Sequence, residues 1–367
     1  MMMKKPLFKF FSFLFSIITI VWGSLYLVGC VLPWITTDIF WPTALVGLIF
    51  PYLCLGLLII ALVWFFINKK NTFYLLILLL LGAKQILAFV AINNVEPFAE
   101  NKKQEHIRIA SWNIGNMEGK TLRADAKKYR VEEIIDFLTE QNADVICLQE
   151  FDDCKKCKSL GLVLKKYKYH YLPIWIVGPH KHKSGNVIFS KYPIIKKDST
   201  SFEDGHNIIQ CDIAINADTL SFFNTHLSSY KFSDEEFKEI NESKTAKDLE
   251  QKQQKKIAKK LRNTLKAHVK EIDVAKQFMS LTHHPKVFCA DLNEVANSNA
   301  YWRLRENMKD VFLEQGFGFG KTYNSLWPIL RIDFILTDKE FYIHQFTTKP
   351  TQLSDHNLII ADVSLKN

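Results

Sequence analysis

The first ninety-five residues carry almost no charge, and that feature limits what this chain can fold into more than any other. From Met1 to Val95 the charged residues are Lys4, Lys5, Lys9, Asp38, Lys69, Lys70 and Lys84. The remaining 41 of 47 Lys and Arg, 37 of 38 Asp and Glu, and all 11 His come later. Residues 10–32 form an uncharged run of 23, and 43–67 another of 25. Residues 73–92 form a third, 20 long, interrupted by Lys84 and Gln85. A bilayer core takes about 20 apolar residues of helix. The pattern therefore predicts a transmembrane anchor over 1–95 with three spans, at 10–32, 43–67 and 73–92.

Orientation follows from where the lysines lie. Lys4, Lys5 and Lys9 precede the first span, and Lys69 and Lys70 separate the second from the third; the loop near 37–42 offers only Asp38. Both basic clusters belong on the cytoplasmic side, so the third span exits and everything after Asn93 lies outside. Lys84 is the weak point: if 73–92 lay on the surface, the large domain would be cytoplasmic. The start of the chain has a second reading. Leu27-Val28-Gly29-Cys30 after a Lys-rich start resembles a lipoprotein signal with Cys30 acylated. Signal-peptide cores run to about 7–15 residues, however, and this run is longer, which favours a plain first transmembrane helix.

With 48% hydrophobic and 23% charged residues, the 367-residue chain is neither disordered nor a small disulfide scaffold. The charge surplus after residue 95 is mild, so global charge does not mark a nucleic-acid binder. Cys147, Cys211 and Cys289 lie in apolar runs and read as buried thiols. Cys154 and Cys157 form a lone Cys-x-x-Cys with no second pair, which argues against zinc; outside the cytoplasm they are free to form a loop disulfide.

A polar linker at 96–106 leads into an α/β domain over 107–367. Strands are expected at 106–112, 144–148, 187–190, 208–213, 220–227, 287–290, 332–336 and 358–363, from their apolar or alternating character. Val131, Ile134, Ile135 and Leu138 recur at helical spacing and predict an amphipathic helix over 125–141. A charged helical insertion is expected at about 233–280. Ile257, Leu261, Leu265 and Val269 form its apolar stripe, and eight Lys or Arg lie between 251 and 270 with no acid among them. Such a face is either simply solvated or a surface for anionic groups.

The polar residues that end the apolar strands carry the chemistry. Asn113 follows the first strand, Glu150 ends the second, and His226 ends Phe222-Phe223-Asn224-Thr225-His226. Asp291 and Asn293 end the next strand, Asp333 sits inside Arg331-Ile332-Asp333-Phe334, and Ser354-Asp355-His356 precedes the last. Strands lying side by side bring such tips to one cleft. Carboxylates and amides suit a hard, oxygen-preferring cation such as Mg²⁺, with Mn²⁺ an alternative. A buried carboxylate such as Asp333 needs a partner.

Taken in order, these motifs resemble the endonuclease/exonuclease/phosphatase superfamily. The carriers are Trp112-Asn113, Leu148-Gln149-Glu150, Gly185-Asn186-Val187-Ile188-Phe189-Ser190-Lys191-Tyr192-Pro193, Asn224-Thr225-His226-Leu227, Asp291-Leu292-Asn293, Arg331-Ile332-Asp333 and Ser354-Asp355-His356. Gly318-Phe319-Gly320-Lys321-Thr322-Tyr323 is similar to membrane-anchored bacterial members. One departure is Ala290, where many members have Gly. The resemblance implies a four-layered α/β sandwich of two packed β-sheets flanked by helices. It also implies metal-dependent hydrolysis of a phosphoester by water. Carried over by position, Glu150 with Asn113 holds the metal and Asp355 touches a second. Asp291 activates the water and Asn293 stabilises the transition state. His226 and His356 contact the phosphoryl oxygens, and Asp333 orients His356. Asn186 and Lys183 are assigned to substrate.

The expected partners are a membrane and a phosphoester (a lipid head group, a nucleotide or nucleic acid), with no protein partner inferred. The expected location is a bacterial inner membrane with the catalytic domain on its outer, periplasmic side. Two alternatives stay open: a nuclease tracking a backbone with Lys155, Lys156, Lys158, Lys165, Lys166 and Lys168, and a non-catalytic phosphate-binding module of the same fold. His180 and His182 read as loop residues or substrate contacts.

Overall fold

A computed structural model describes residues 5–115, 131–153, 165–173, 182–230, 251–324 and 329–366, together with residues 161, 163, 176, 177, 232 and 236. The apolar start forms α1 (Lys5–Val31), a 3-10 turn (Leu32–Trp34), α2 (Thr43–Ile67), α3 (Lys69–Leu81) and α4 (Ala83–Phe89). Two helices, Phe8–Trp34 and Thr43–Ile67, are long and apolar enough to cross a membrane, and the α3–α4 pair adds a third only if it counts as one broken span.

The third span expected over 73–92 is not one continuous helix, and among the described residues only two helices are long and apolar enough by themselves. The helix breaks at Gly82 and the two pieces meet at 62°. A Cβ at Gly82 would overlap the Tyr26 hydroxyl and Cys30 Sγ. That hydroxyl donates to Leu79 O at 2.9 Å, in the last turn of α3. Past the bend, Lys84 lies over the Trp302 ring, 4.7 Å from its centroid, where a cation is stabilised by the π-face. Gln85 Nε2 donates to Cys30 O at 2.8 Å. The two polar residues that interrupt the apolar run are thus held by protein groups. The chain then leaves helix and forms β1 (Ala91–Ile92), paired with β12 (Phe317–Gly318).

The rest is built on two sheets. One contains, in spatial order, β14 (Phe341–Lys349), β15 (Leu358–Leu365), β2 (Ile107–Asn113), β3 (Val145–Asp153), β6 (His182–Ser190) and β4 (Tyr169–Tyr171), with β5 (Ile176–Val177) also on β6. The other runs β11 (Met308–Asp310), β13 (Asp333–Asp338), β10 (Lys286–Asp291), β9 (Asp218–His226), β8 (Asn207–Ile215) and β7 (Ile194–Ser201). β2 and β3 are parallel, as are β9 and β10. Ile109, Cys147, Ile188, Ile209, Phe222 and Cys289 fill the space between the sheets. The outer face of the first sheet is covered by α5 (Val131–Glu140), through Val131, Ile134, Ile135 and Leu138. The outer face of the second is covered by α6 (Gln251–Met279) and α7 (Asn299–Arg305). A last short helix, α8 (Val311–Gln315), follows β11. This is the four-layered sandwich.

Asparagines stitch the layers. Asn224 on β9 donates to Leu148 O (2.8 Å) and Val187 O (3.0 Å) in the opposite sheet, and accepts from Gln149 Nε2 at 2.7 Å. The expected 96–106 linker is fastened down: Arg108, paired with Asp362 at 2.7 Å, also donates to Glu100 O and Ala99 O.

The apolar helices are joined to the sandwich. Thr37 donates to Leu265 O, Asn297 to Gly29 O, Asn299 to Pro33 O and Arg331 to Ala88 O, all at 2.8–2.9 Å. Tyr26, Phe50 and Phe89 share one apolar cluster with Val295, Leu330 and Ile332. The C-terminal end of α1, the start of α2 and the end of α4 therefore all meet the sandwich, whereas Lys69 and Lys70 lie at the junction of α2 and α3. Apart from Ile195, Leu281, Phe317, Phe319 and Tyr342, the exposed large apolar side chains among the described residues lie between Phe8 and Val95.

Candidate active site

The site is assembled at strand ends. Asn113, the last residue of β2, is buried and donates to Asp291 Oδ2 at 2.9 Å and Glu150 Oε1 at 3.2 Å, while its Oδ1 accepts from Gly115 N at 3.0 Å. Glu150 reaches the site through a bulge. Between Leu148 and Phe151 two residues of β3 face only Asn186 on β6, and Glu150 has φ 53°. A non-glycine residue in the left-handed region is uncommon, and such strain concentrates at functional sites. The bulge turns Gln149 inward onto Asn224 and Glu150 toward the cavity.

Asp291 sits at the centre. Its Oδ1 accepts from Asn293 N at 2.9 Å, and its Oδ2 lies 3.5 Å from His226 Nε2 and 3.7 Å from His356 Nε2. Burial pushes its pKa up, but His356, then His226, together with the Asn113 and Asn293 donors, outweigh this and hold it below the usual range. Asn293, at φ 51°, brings its amide nitrogen to 3.0 Å from His226 Nε2. His226 Nδ1 stands 4.0 Å from Glu150.

His356 Nδ1 meets Asp333 Oδ2 at 2.9 Å, and Asp333 is the cross-strand partner of Asp291. Burial alone would lower the His356 pKa; Asp333, then Asp291, push it up to about 10. The two carboxylates thus favour the protonated ring. Its backbone is fixed as well: His356 N donates to Ser354 Oγ (3.1 Å), which donates to Asn113 O (2.8 Å), and Trp112 Nε1 donates to His356 O (2.9 Å).

Asn113, Glu150, His226, Asp291, Asn293, Asp355 and His356 line one end of a cavity of about 370 Å³. Asp333 stands behind His356. Asn186, expected to contact substrate, lies between the sheets. It does not line this cavity, and its Nδ2 donates to Asn207 O (2.8 Å) and Oδ1 (3.0 Å), tying β6 to β8 across the two sheets. Lys183 lies on β6, but its side chain falls outside the described residues, as do the side chains of His180, His182, Lys155, Lys156, Lys158, Cys154 and Cys157. Of the helix expected at 125–141, residues 125–130 fall outside too, as does most of 233–250.

The donor set fits a divalent cation. Two carboxylates, Glu150 and Asp355, face the cavity beside the Asn113 amide, and one or two carboxylates are what Mg²⁺ ordinarily requires. A second set, Asp291, Asp333 and His356, brings one ligand atom each within 4.8 Å of the others. In that set His356 is already bonded to Asp333.

Sequence reasoning did not find the cavity's other end. Ala44, Leu45 and Leu48 of α2, and Leu261 and Leu265 of α6, complete its lining with Tyr230 and Val295. The apolar stripe of the insertion helix was readable; that α2 packs opposite it was not. Nor was the buried His268, bonded to Glu294 (2.7 Å) and Ser228 O (2.8 Å), which anchors α6 beside the site.

Comparison with known proteins agrees with this architecture. Residues 110–356 match the Endonuclease/Exonuclease/phosphatase family, and residues 9–89 match a domain of unknown function (DUF8431). The chain belongs to the endonuclease/exonuclease/phosphatase family. Among solved structures it is similar to an endonuclease/exonuclease/phosphatase from Beutenbergia cavernae, with 15% identity, TM-score 0.54 and coverage of 72% of each chain. A Bacteroides vulgatus endonuclease/exonuclease/phosphatase aligns at 16% identity and TM-score 0.51, over 71% of this chain and 99% of that one. The human Nocturnin catalytic domain with bound sulfate anion aligns at 15% and 0.50, over 72% and 97%. No curated protein matches the sequence.

Proposed function

We propose that this protein is a membrane-anchored, divalent-metal-dependent hydrolase that cleaves phosphoester bonds, with a phosphodiester the preferred class, by attack of water. The observation that carries the reading is Asp291. It is a buried carboxylate in the cavity wall whose ionised form two imidazoles favour, with Oδ1 engaged by Asn293 N and Oδ2 by Asn113 Nδ2, the latter oxygen within 3.7 Å of both His226 Nε2 and His356 Nε2.

A phosphodiester is anionic and repels an incoming nucleophile, so its charge must be neutralised while a water is aligned and deprotonated. Asp291 Oδ2 accepts the water's proton. His356 is held as a cation by Asp333 and faces the phosphoryl oxygens through Nε2. His226 and the amide of Asn293, in contact at 3.0 Å, stabilise charge as it builds on the phosphorus oxygens. Glu150, Asn113 and Asp355 would hold the cation. Bound Mg²⁺ or Mn²⁺ supplies positive charge against the phosphoryl oxygens.

The anchor reading rests on α1, α2 and the apolar surface confined to residues 8–95. Apolar patches of that extent mark a membrane or protein interface. The catalytic side is assigned to the outside, because the lysine-bearing α2–α3 junction lies at the end of α2 away from the sandwich.

The test is a phosphoester panel assayed on the full chain in detergent, with Mg²⁺, with Mn²⁺ and with EDTA. Metal-dependent hydrolysis of bis(p-nitrophenyl) phosphate, lost in Asp291→Ala, is expected. Inactivity on every ester with metal present would favour the binding module. Cleavage of plasmid DNA alone would favour the nuclease.

A further inference from the structure

The catalytic cavity has two chemically opposite ends, and they belong to different parts of the chain. One end is the cluster around Asp291. The other is apolar and is walled by Ala44, Leu45 and Leu48 from the first turns of α2, facing Leu261 and Leu265 of α6. Nothing in phosphoester hydrolysis requires that wall. A small charged ester gains nothing from an apolar surface, and lining a site with it costs polar contacts the ester would otherwise make.

The wall also reaches the outer surface of the apolar helices. Leu45 lines the cavity and is 41% exposed, and the turn and loop between α1 and α2 expose Trp34, Ile39 and Phe40 at 68%, 78% and 59%. An aromatic and aliphatic cluster at the end of two apolar helices belongs at a membrane interface. The apolar end of the cavity thus lies on the first turns of α2, next in the chain to this exposed apolar segment. The hydrogen bond from Thr37 to Leu265 O fixes this loop against α6, so both walls hold their spacing.

Resting on the hydrolase reading above, we infer that the substrate is a lipid phosphoester. Its phosphate lies at Asp291, and its hydrocarbon chain lies between the first turns of α2 and the middle of α6, entering directly from the bilayer. The anchor is then part of the substrate site as well as a tether. Residues such as Leu45 and Leu48 discriminate a lipid from a water-soluble ester with the same phosphate.

The test uses the full chain in a steroid detergent, hydrolysing bis(p-nitrophenyl) phosphate, with ethyl, butyl, hexyl and octyl phosphate as inhibitors below their micellar concentrations. Inhibition is expected to strengthen along the series, by up to about fourfold for each methylene that enters the apolar end. The dependence should flatten in Leu48→Asp. A series flat in the unmodified protein overturns the inference while leaving the hydrolase reading intact. A second readout does not depend on turnover or on any variant. A phospholipid carrying a photoreactive diazirine in its acyl chain should label peptides containing residues 43–48 or 261–265. Labelling confined to the outer faces of α1 and α3 overturns the inference. No hydrolysis of any ester, alongside labelling at 43–48, removes the hydrolase reading but keeps the lipid site.

Discussion

Replacing Asp333 by Asn tests the charge arrangement of the site with the least change in shape. Asp333 and His356 share a buried contact of 2.9 Å, and Asp333 is the larger of the two carboxylate influences on the ring. The His356 pKa is raised from 6.5 to about 10 in the folded chain. If fully realised, that difference corresponds to about 5 kcal/mol of stability. Because the folded value is the higher one, this contribution is complete below about pH 6.5 and is lost as pH rises through about 10. Burial pushes the Asp333 carboxyl up, so removing its charge returns part of that sum. A net loss of about 1–3 kcal/mol at pH 6.5 is therefore expected.

The dependence on pH is sharper than the absolute loss. Melting the full chain in detergent and EDTA, followed by tryptophan fluorescence, should give a wild-type apparent Tm that falls between pH 6.5 and 10. The Asp333→Asn curve should be lower at pH 6.5 and flatter, and cross the wild-type curve below pH 10, where the buried Asp333 charge is no longer offset by a protonated His356. Turnover should drop about 10²-fold or more, with its alkaline limb moved toward neutrality. Parallel melting curves across this range would refute the argument that Asp333 keeps His356 charged.

Three further outcomes follow from the geometry. Asp291→Asn keeps the size of the side chain but removes the proton acceptor and, with one oxygen in place of two, can accept from only one of Asn293 N and Asn113 Nδ2; kcat should fall about 10²–10⁴-fold, measured on a chromogenic phosphodiester. Glu150→Gln should raise the Mg²⁺ concentration for half-maximal activity at least tenfold, with activity restored at high metal, as read from a metal titration. Asn224→Leu leaves Gln149, Leu148 O and Val187 O without their inter-sheet partner, and should lower stability by about 2–4 kcal/mol, seen as a reduced apparent Tm.

Much of this was legible because the signals were local. Strands β2, β3, β8, β9, β10, β13 and β15 are apolar runs buried on both faces, and Asn113, Glu150, His226, Asp291 and His356 stand where those runs end. β7 and β14 gave weaker signals because they are sheet edges. Ile194-Ile195-Lys196-Lys197-Asp198-Ser199-Thr200-Ser201 has few buried positions, so its sequence reads as a surface loop. The motif around Asn186 did not show that its side chain bonds to Asn207 in the opposite sheet. The bend at Gly82 escaped because length and hydropathy do not record how closely Tyr26 packs. The apolar end of the cavity needed tertiary structure: Leu45 and Leu261 are more than 200 positions apart, and nothing in either segment names the other.

The central claim is that water, activated by Asp291, attacks phosphorus in this cavity. Hydrolysis in oxygen-18 water by the full chain with Mg²⁺ tests it directly, with mass spectrometry of both products. One oxygen-18 atom in the phosphate-bearing product, and none in the released alcohol, is the predicted result. Label in the alcohol, or label in the phosphate at an unchanged rate in Asp291→Asn, would contradict it.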